Sequence, residues 1–316
     1  MQRKIPLVIL GGSDKRPSVL PQGVEGRHPL SGCKAVDVRI DGRCLVEVLL
    51  DRLRESGKFD PITIAGPAQA YREAGVSAPV IDTDGGFGEN IRASVESVDA
   101  QQGQEVAIIT CDILPEVEAL RELIDDYWSH APSDLWFPIV LAESEEGLGA
   151  SAWKPRYRVV PEPGSEAVSI LPGHLVICNP AILRLQFIYR FFQLAYSTRN
   201  RPIRYRKWFI AREALGGLLR QDLLHILGLR MPTLTWDVFL HGITAANHLR
   251  QGIASIAELQ TAVRYMFVKR KHRRQHPESG VRLVLTRWMS LARDIDTLEE
   301  AEAIGAVSVS GGGISA

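Results

Sequence analysis

Apolar residues fall along this chain in two rhythms. Short unbroken runs recur in the first half: Leu7-Val8-Ile9-Leu10, Pro61-Ile62-Thr63-Ile64-Ala65-Gly66, Val80-Ile81-Asp82, Val106-Ala107-Ile108-Ile109-Thr110 and Leu135 to Leu141. Such runs predict strands covered on both faces. Between them the apolar positions take helical spacing. Leu45, Val46, Leu49, Leu50 and Leu53 predict an amphipathic helix over Leu45 to Ser56, stopped by Gly57. Ile91, Val95 and Val98 share one face of a helix from Glu89, and Pro115 suits the first turn of a helix running to about Trp128. Val36 to Ile40 alternates, which predicts a short strand turned by Asp41-Gly42. Strands alternating with helices predict a doubly wound, mostly parallel α/β sheet with ligands beyond the carboxyl ends of its strands.

Beyond Ala142 the pattern changes. Arg156 to Pro161 and His174 to Cys178 predict strands, and Ile182–Tyr196, Ile210–Leu227, Trp236–Leu249 and Ile256–Phe267 have helical spacing. Ser255 and Glu258 form one capping box, Thr297 and Glu300 another, and Val281 to Leu285 returns to strand. The expected organisation is a core over 1–180 plus 281–305, a helical insertion or subdomain over 181–280, and a flexible Ser/Gly tail over 306–316. Pro17 to Gly32, rich in Pro, Gly and Ser, reads as a flap.

Composition narrows the function classes. A hydrophobic fraction of 45% with 23% charged residues is that of a globular protein with ample material for a core. The 37 basic residues balance 37 acidic ones, so no overall field draws the chain to nucleic acid or membrane. No apolar run is long enough to span a bilayer, and Met1-Gln2-Arg3-Lys4 carries no signal-peptide pattern. Cys33, Cys44, Cys111 and Cys178 have neither the spacing of a zinc site nor that of a disulfide framework, which points to a reducing cytoplasm.

Candidate chemistry lies at strand ends. Gly11-Gly12 removes side chains where the first strand turns, so backbone N–H groups can face an anion. Arg16 adds a guanidinium suited to phosphate, and Lys34 adds a point charge. A strand with an ordinary Gly turn is the bland alternative for these residues. Asp112 follows the Val106–Thr110 strand, and Asp294 lies ahead of the last helix. Two carboxylates with a glycine-rich loop can hold Mg²⁺, which takes oxygen ligands together with substrate phosphates. As bland alternatives, Asp112 is a loop residue or helix cap, and Asp296 or Thr297 simply caps the final helix.

With those residues in place, the chain resembles the nucleotidyltransferases of GT-A-like fold, in particular the molybdenum-cofactor guanylyltransferase-like (MobA-like) NTP transferases. The resemblance rests on Leu10-Gly11-Gly12-Ser13-Asp14-Lys15-Arg16-Pro17, Lys34, Gly88-Glu89-Asn90, Thr110-Cys111-Asp112-Ile113-Leu114-Pro115 and Asp294-Ile295-Asp296-Thr297, in the family's order over 5–180 and 281–304. It implies a GT-A/Rossmann-like three-layer sandwich with a helical insertion. It implies that Leu10, Gly11, Gly12, Ser13 and Arg16 cradle NTP phosphates, that Arg16 and Lys34 support catalysis, and that Gly88, Asn90 and Ser94 meet the nucleoside. Asp112 and Asp294 would bind Mg²⁺. Gly173 and His174, in Pro172-Gly173-His174-Leu175, stand where the family often has a glycine-led strand against the acceptor; read from alternation instead, Lys154, Arg156 and Arg158 share one face of a strand-like stretch, to bind an acceptor phosphate or, as the bland alternative, to be solvated. The implied activity is transfer of an NMP from an NTP to a phosphorylated small-molecule acceptor, with release of pyrophosphate.

The chain departs from the family pattern at Leu10, Asp14 and Pro17. Those departures define the rival expectation, a catalytically silent nucleotide-binding module whose helical block serves a regulatory or partner-binding role. A nicotinamide-dependent Rossmann enzyme fits less well, because G-x-G-x-x-G is missing after the first strand. Two basic blocks, Arg199 to Trp208 and Lys269 to Arg274, suit phosphate or acidic surfaces, but zero net charge favours solvated helix ends over nucleic acid. Phe187, Tyr189, Phe191, Phe192 and Tyr196 read as packing between helices, with a homo-oligomer contact as an alternative use.

Overall fold

The computed structural model describes residues 3–14, 20, 25–99, 105–130, 132–142, 148–152, 154, 156–197, 222–223, 226–227 and 234–308. Arg16, the block 199–208, most of the expected helix 210–227 and residues 309–316 lie outside them. Among the described residues no helix is long and apolar enough to cross a membrane.

The first apolar run forms β1 (Ile5–Leu10) at the centre of the sheet, paired parallel on one side with β4 (Phe59–Gly66) and on the other with β6 (Val106–Thr110). Between β1 and β4 in sequence come β2 (Val38–Ile40) and β3 (Arg43–Cys44), which pair with each other in a separate small sheet, and β5 (Val80–Asp82) extends the large sheet beyond β4. The remaining strands are β7 (Ser133–Leu141), β8 (Tyr157–Val159), β9 (Val168–Pro172), β10 (Leu175–Cys178), β11 (Gly280–Thr286) and β12 (Ala306–Ser308). The large sheet runs β5-β4-β1-β6-β10-β7-β9-β8, with β11 parallel on the other edge of β7. Mostly parallel, with β8, β9 and β10 in antiparallel pairings, it bears out the expected α/β class.

Alternation along β1 divides its residues between two layers. Ile5, Leu7 and Ile9 pack with Leu49, Leu50 and Leu53 of α2 (Leu45–Ser56) and with Leu120, Leu123 and Ile124 of a helix over Val117–Ser129. Val8 and Leu10 face Ile91 and Val95 of the helix Phe87–Asp99, with Ile188 and Tyr189 of Leu185–Ser197 and Ile256 of Ile256–Phe267. Two helices of the block over 181–280 thus contribute to this layer of the sheet.

Three local expectations change. Lys34–Asp37 is a helical turn, α1, and only Val38–Ile40 is strand. The Asp37 carboxylate accepts the Cys33 amide at 2.8 Å and curls the chain, which overrides a weak alternation. Strand β9, ending at a proline, was not anticipated, and Lys154 and Arg156 precede β8 instead of lying on it. Ala306–Ser308 pairs antiparallel with β2 where the flexible tail was expected to start. All four cysteines are buried and unpaired with one another.

The basic block Lys269 to Arg274 is largely structural. His272 and Arg264 contact the fully buried Asp134 of β7 at 2.8 and 3.1 Å, and Ser279 donates to it at 2.7 Å. Arg273 and Arg184 share Asp237, each at 2.8 Å. Asp134→Ala should therefore destabilise the chain by about 3 kcal/mol, the cost of leaving partly buried cations without their carboxylate. A fall in the urea midpoint checks this; a change under about 0.5 kcal/mol, as for an ordinary surface substitution, would contradict it.

Candidate active site

The carboxyl end of β1 runs into Gly11-Gly12, where two side chains claim the space a Cβ would fill. A Cβ on Gly11 would lie 2.0 Å from the Tyr71 hydroxyl, which donates to the Gly11 carbonyl at 2.6 Å. A Cβ on Gly12 would lie 2.3 Å from Asn90 Nδ2. The glycines are thus required by close approach, beyond any role in holding an anion. Leu10 is buried within the sheet, and its carbonyl accepts the Cys111 amide at 3.2 Å. Ser13 donates its hydroxyl to Asp84 at 2.5 Å. Asp14 and Gly32 exchange backbone hydrogen bonds at 2.8 and 2.9 Å, closing the base of the loop that contains Arg16.

Of the three residues expected at the nucleoside, one faces the loop. Asn90 is buried, with Oδ1 accepting from Thr83 at 2.9 Å, which leaves its amino group toward Gly12. Ser94 is fully buried and donates to the Asn90 carbonyl of its own helix at 2.7 Å. Gly88 is a packing position, where a Cβ would lie 2.4 Å from the Tyr189 carbonyl of the neighbouring helix. The structure brings neither Ser94 nor Gly88 to the loop through a side chain.

Carboxylates from two distant segments converge at the ends of β1 and β6. Oxygens of Asp112, Asp294 and Asp296 all lie within 4.8 Å of one another. Asp294 and Asp296 reach the cluster together because alternate residues of an extended segment share a side, while Ile295 between them is buried in a separate apolar cluster. Two buried lysines enter the cluster. Lys34 Nζ, carried by α1, lies 2.8 Å from Asp296, 3.3 Å from Asp112 and 3.4 Å from Asp14. Lys154 Nζ contacts the Asp294 side chain and carbonyl closely, Glu300 at 3.1 Å and Asp296 at 3.6 Å.

Burial alone would favour neutral lysines, but Asp112, Asp296 and Asp14 outweigh it and push the Lys34 ammonium well above its usual range. Lys154 is raised likewise, against burial, by Asp294, Asp296 and Glu300. Burial would raise the aspartates, yet Lys34 and His174 hold Asp112 low, and the two lysines hold Asp296 low. Asp294 goes the other way: burial, then the Asp296 charge, raises it against His174 and Lys154. Five carboxylates thus face two ammonium groups, and one of the five is driven toward its neutral form. Asp112 Oδ1 is buried with no partner in hydrogen-bond geometry. A surplus of hard oxygen donors with an orphaned carboxylate oxygen fits a divalent cation such as Mg²⁺ at Asp112, Asp294 and Asp296.

His174 arrives at this cluster through a bulge. Strands β9 and β10 are halves of one bent strand along β7: Ile139 pairs with Pro172 and Trp136 with Ile177, so Gly173 and His174 are extra. Gly173 is needed there because a Cβ would lie 2.7 Å from the Pro138 carbonyl. The bulge re-aims His174, setting Nδ1 3.2 Å from the Thr110 hydroxyl and Nε2 3.8 Å from Asp294. Arg156 is exposed. Lys154, expected at the acceptor, is instead engaged by the carboxylates.

Comparison with solved structures defines the architecture. The chain shares its fold with a hypothetical transferase from Thermus thermophilus. That match has a TM-score of 0.55 and 20% identity, and covers 95% of this chain and 100% of that one. More distant are a CMP:2-keto-3-deoxy-manno-octonic acid synthetase complexed with CTP (TM-score 0.41, 12% identity, 68% of this chain and 86% of that one) and a 4-diphosphocytidyl-2C-methyl-D-erythritol synthase from Anaerococcus prevotii (TM-score 0.36, 8% identity, 66% and 84%). No protein-family model and no curated protein matches the chain. The likeness is therefore one of fold.

Sequence reasoning missed Asp296, Glu300 and Tyr71. The Asp-x-Asp spacing carried the signal for Asp296, since an extended segment places both aspartates on one side. Glu300 was anticipated as a cap, and it is one: Thr297 accepts the Glu300 amide at 3.3 Å while Glu300 accepts those of Asp296 and Thr297. Nothing local marked Tyr71.

The acidic segment is also tied to the loop after β1. Leu30 donates its amide to the Asp296 carbonyl and Leu298 to the His28 carbonyl, both at 2.8 Å, and the His28 ring meets Glu299 at 2.6 Å. Slight burial would raise the Glu299 carboxyl, but the His28 ring and nearby amides bring it down to about 2. A depressed folded-state carboxyl stabilises above the unfolded value near 4.5 and loses that contribution as pH falls toward 2. The Tm advantage of the native chain over Glu299→Gln should be constant above about pH 5 and vanish on acidification through that window. An advantage independent of pH would remove this role.

Proposed function

We propose that the chain is a Mg²⁺-dependent nucleotidyltransferase of MobA-like type, transferring an NMP from an NTP to a phosphorylated acceptor. The observation that carries it is the cluster of Asp112, Asp294 and Asp296 joined through Lys34 to Asp14 of the glycine loop. Loop and cluster lie beyond the carboxyl ends of parallel strands, where α/β sheets bind their ligands. The Thermus protein that shares the fold is titled a hypothetical transferase, which is in keeping with the proposal.

Asp112 and Asp294, joined by Asp296, would hold the cation, which when bound offsets the charge of the triphosphate. The triphosphate would lie on Gly11-Gly12, with Arg16 on the same loop and the Asn90 amino group toward the nucleoside. The carboxylate of Asp14, one of the departures from the family pattern, is offset by Lys34 at 3.4 Å. An oxygen of the acceptor's phosphate attacks the α-phosphorus in line. As that O–P bond forms, the bond from the α-phosphorus to the bridging oxygen breaks, and pyrophosphate leaves with that electron pair. Lys34 is placed to balance charge as it moves, and no covalent enzyme intermediate is needed. His174, 3.8 Å from Asp294, and Gly173 beside it border the cluster and would meet the acceptor there.

Asp112→Asn should lower pyrophosphate release by about 100-fold or more, a typical loss for one electrostatic group at the reacting centre. Release is measured for the native chain and the variant with the four common NTPs and a panel of phosphorylated sugars, polyols and pterins. The thermal transition should persist, since the substitution relieves carboxylate crowding. Turnover within a few-fold of the native chain would remove the mechanism; nucleotide binding without release by the native chain would favour the silent module.

A further inference from the structure

We infer that Lys154 takes the place of a second divalent cation, so that the cluster binds one metal ion and not two. This rests on the metal reading above and deepens it. Carboxylate clusters at phosphoryl-transfer centres commonly hold a pair of ions roughly 3.5–4 Å apart, sharing carboxylates. Here three carboxylates invite such a pair, but Lys154 Nζ is already set among four oxygens: the side chain and carbonyl of Asp294, Asp296 at 3.6 Å, and Glu300 at 3.1 Å. That is an oxygen cage of the kind a hard cation selects. An ammonium has three protons to donate, and the Asp294 side chain and carbonyl take two of them, with Glu300 at 3.1 Å. Lys154 is therefore a positioning residue, not a free cation awaiting an acceptor phosphate.

The ammonium is delivered by a braced segment. Lys154 donates its own amide to the Ser151 carbonyl at 3.0 Å, and the Ser151 hydroxyl donates to the same Glu300 oxygen at 2.8 Å. The other Glu300 oxygen is held by the amides of Asp296 and Thr297. Glu300 consequently cannot swing out to release Lys154 without giving up the cap of the last helix. Asp112 differs, since its Oδ1 is buried with no hydrogen-bond partner. The Asp294–Glu300 end is filled by Lys154, whereas at Asp112, where Lys34 meets Oδ2, the Oδ1 atom is left for a metal.

The test is Mn²⁺ titrated alone into the full-length chain, with bound ions counted by electron paramagnetic resonance. The native chain should bind one ion with an uncoupled spectrum. Lys154→Met, which keeps length and removes charge, should bind two, with the spin coupling of closely spaced ions, and Lys154→Arg should return the count to one. A merely structural lysine would not change the count. Two coupled ions in the native chain, or a single ion in a folded Lys154→Met, would overturn the inference while leaving the metal reading intact. No bound ion in the native chain would overturn both. Should Lys154→Met fail to fold, the native count and Lys154→Arg still decide, since two ions in either would overturn it.

Discussion

Five carboxylates and two ammonium groups are packed into one small, mostly buried volume, and the surrounding structure answers to that concentration of charge. Neither set is tolerable alone. A buried lysine without its carboxylates would lose its proton or its place, and the carboxylates without the lysines would repel one another. Asp296 is the hinge of the arrangement, with one oxygen toward Lys34 and the other toward Lys154. The balance is incomplete, since Asp294 is raised toward neutrality and Asp112 keeps an oxygen unpaired. That shortfall is what the proposed cation would fill.

The fold supplies the members from opposite ends of the chain. Strands β1 and β6 end side by side, which sets Gly11, Gly12 and Asp112 at one level. The return segment 294–300 is held there by Ile295, which donates its amide to the Asp112 carbonyl at 2.8 Å, and by residues 28–30 running alongside 296–298. The cap of the last helix and the charge cluster share Glu300, so local helix chemistry and site assembly are one interaction seen from two sides. The bulge at Gly173-His174 bends a strand toward the same point.

Much of the fold was legible because its strands are short, unbroken apolar runs, which admit few alternatives once glycine and proline bound them. The 106–110 strand, the 45–56 helix and the 256–267 helix fall where the pattern puts them. The turn at Lys34–Asp37 was not legible, because one carboxylate hydrogen bond decides it. The charge of Lys154 was visible but its partners were not, since they lie about 140 residues away and only the tertiary fold reveals them. Ser94 and Gly88 show the converse, as residues that match a motif while the structure uses them for helix packing. The glycines of the loop were expected for an anion, yet Tyr71 and Asn90 give each a second, steric reason.

The central claim is that the loop and the acidic cluster form one nucleotide site completed by a divalent cation. The most direct measurement is the thermal transition of the purified chain with ATP, GTP, CTP or UTP, each with and without Mg²⁺. A ligand at about 100 times its Kd stabilises the native state by roughly 2.7 kcal/mol, enough for a shift of several degrees or a little less at this chain length. The expected result is a rise in Tm with one nucleotide that appears only when Mg²⁺ is present. An unchanged transition with all four nucleotides, with or without the ion, would contradict the claim.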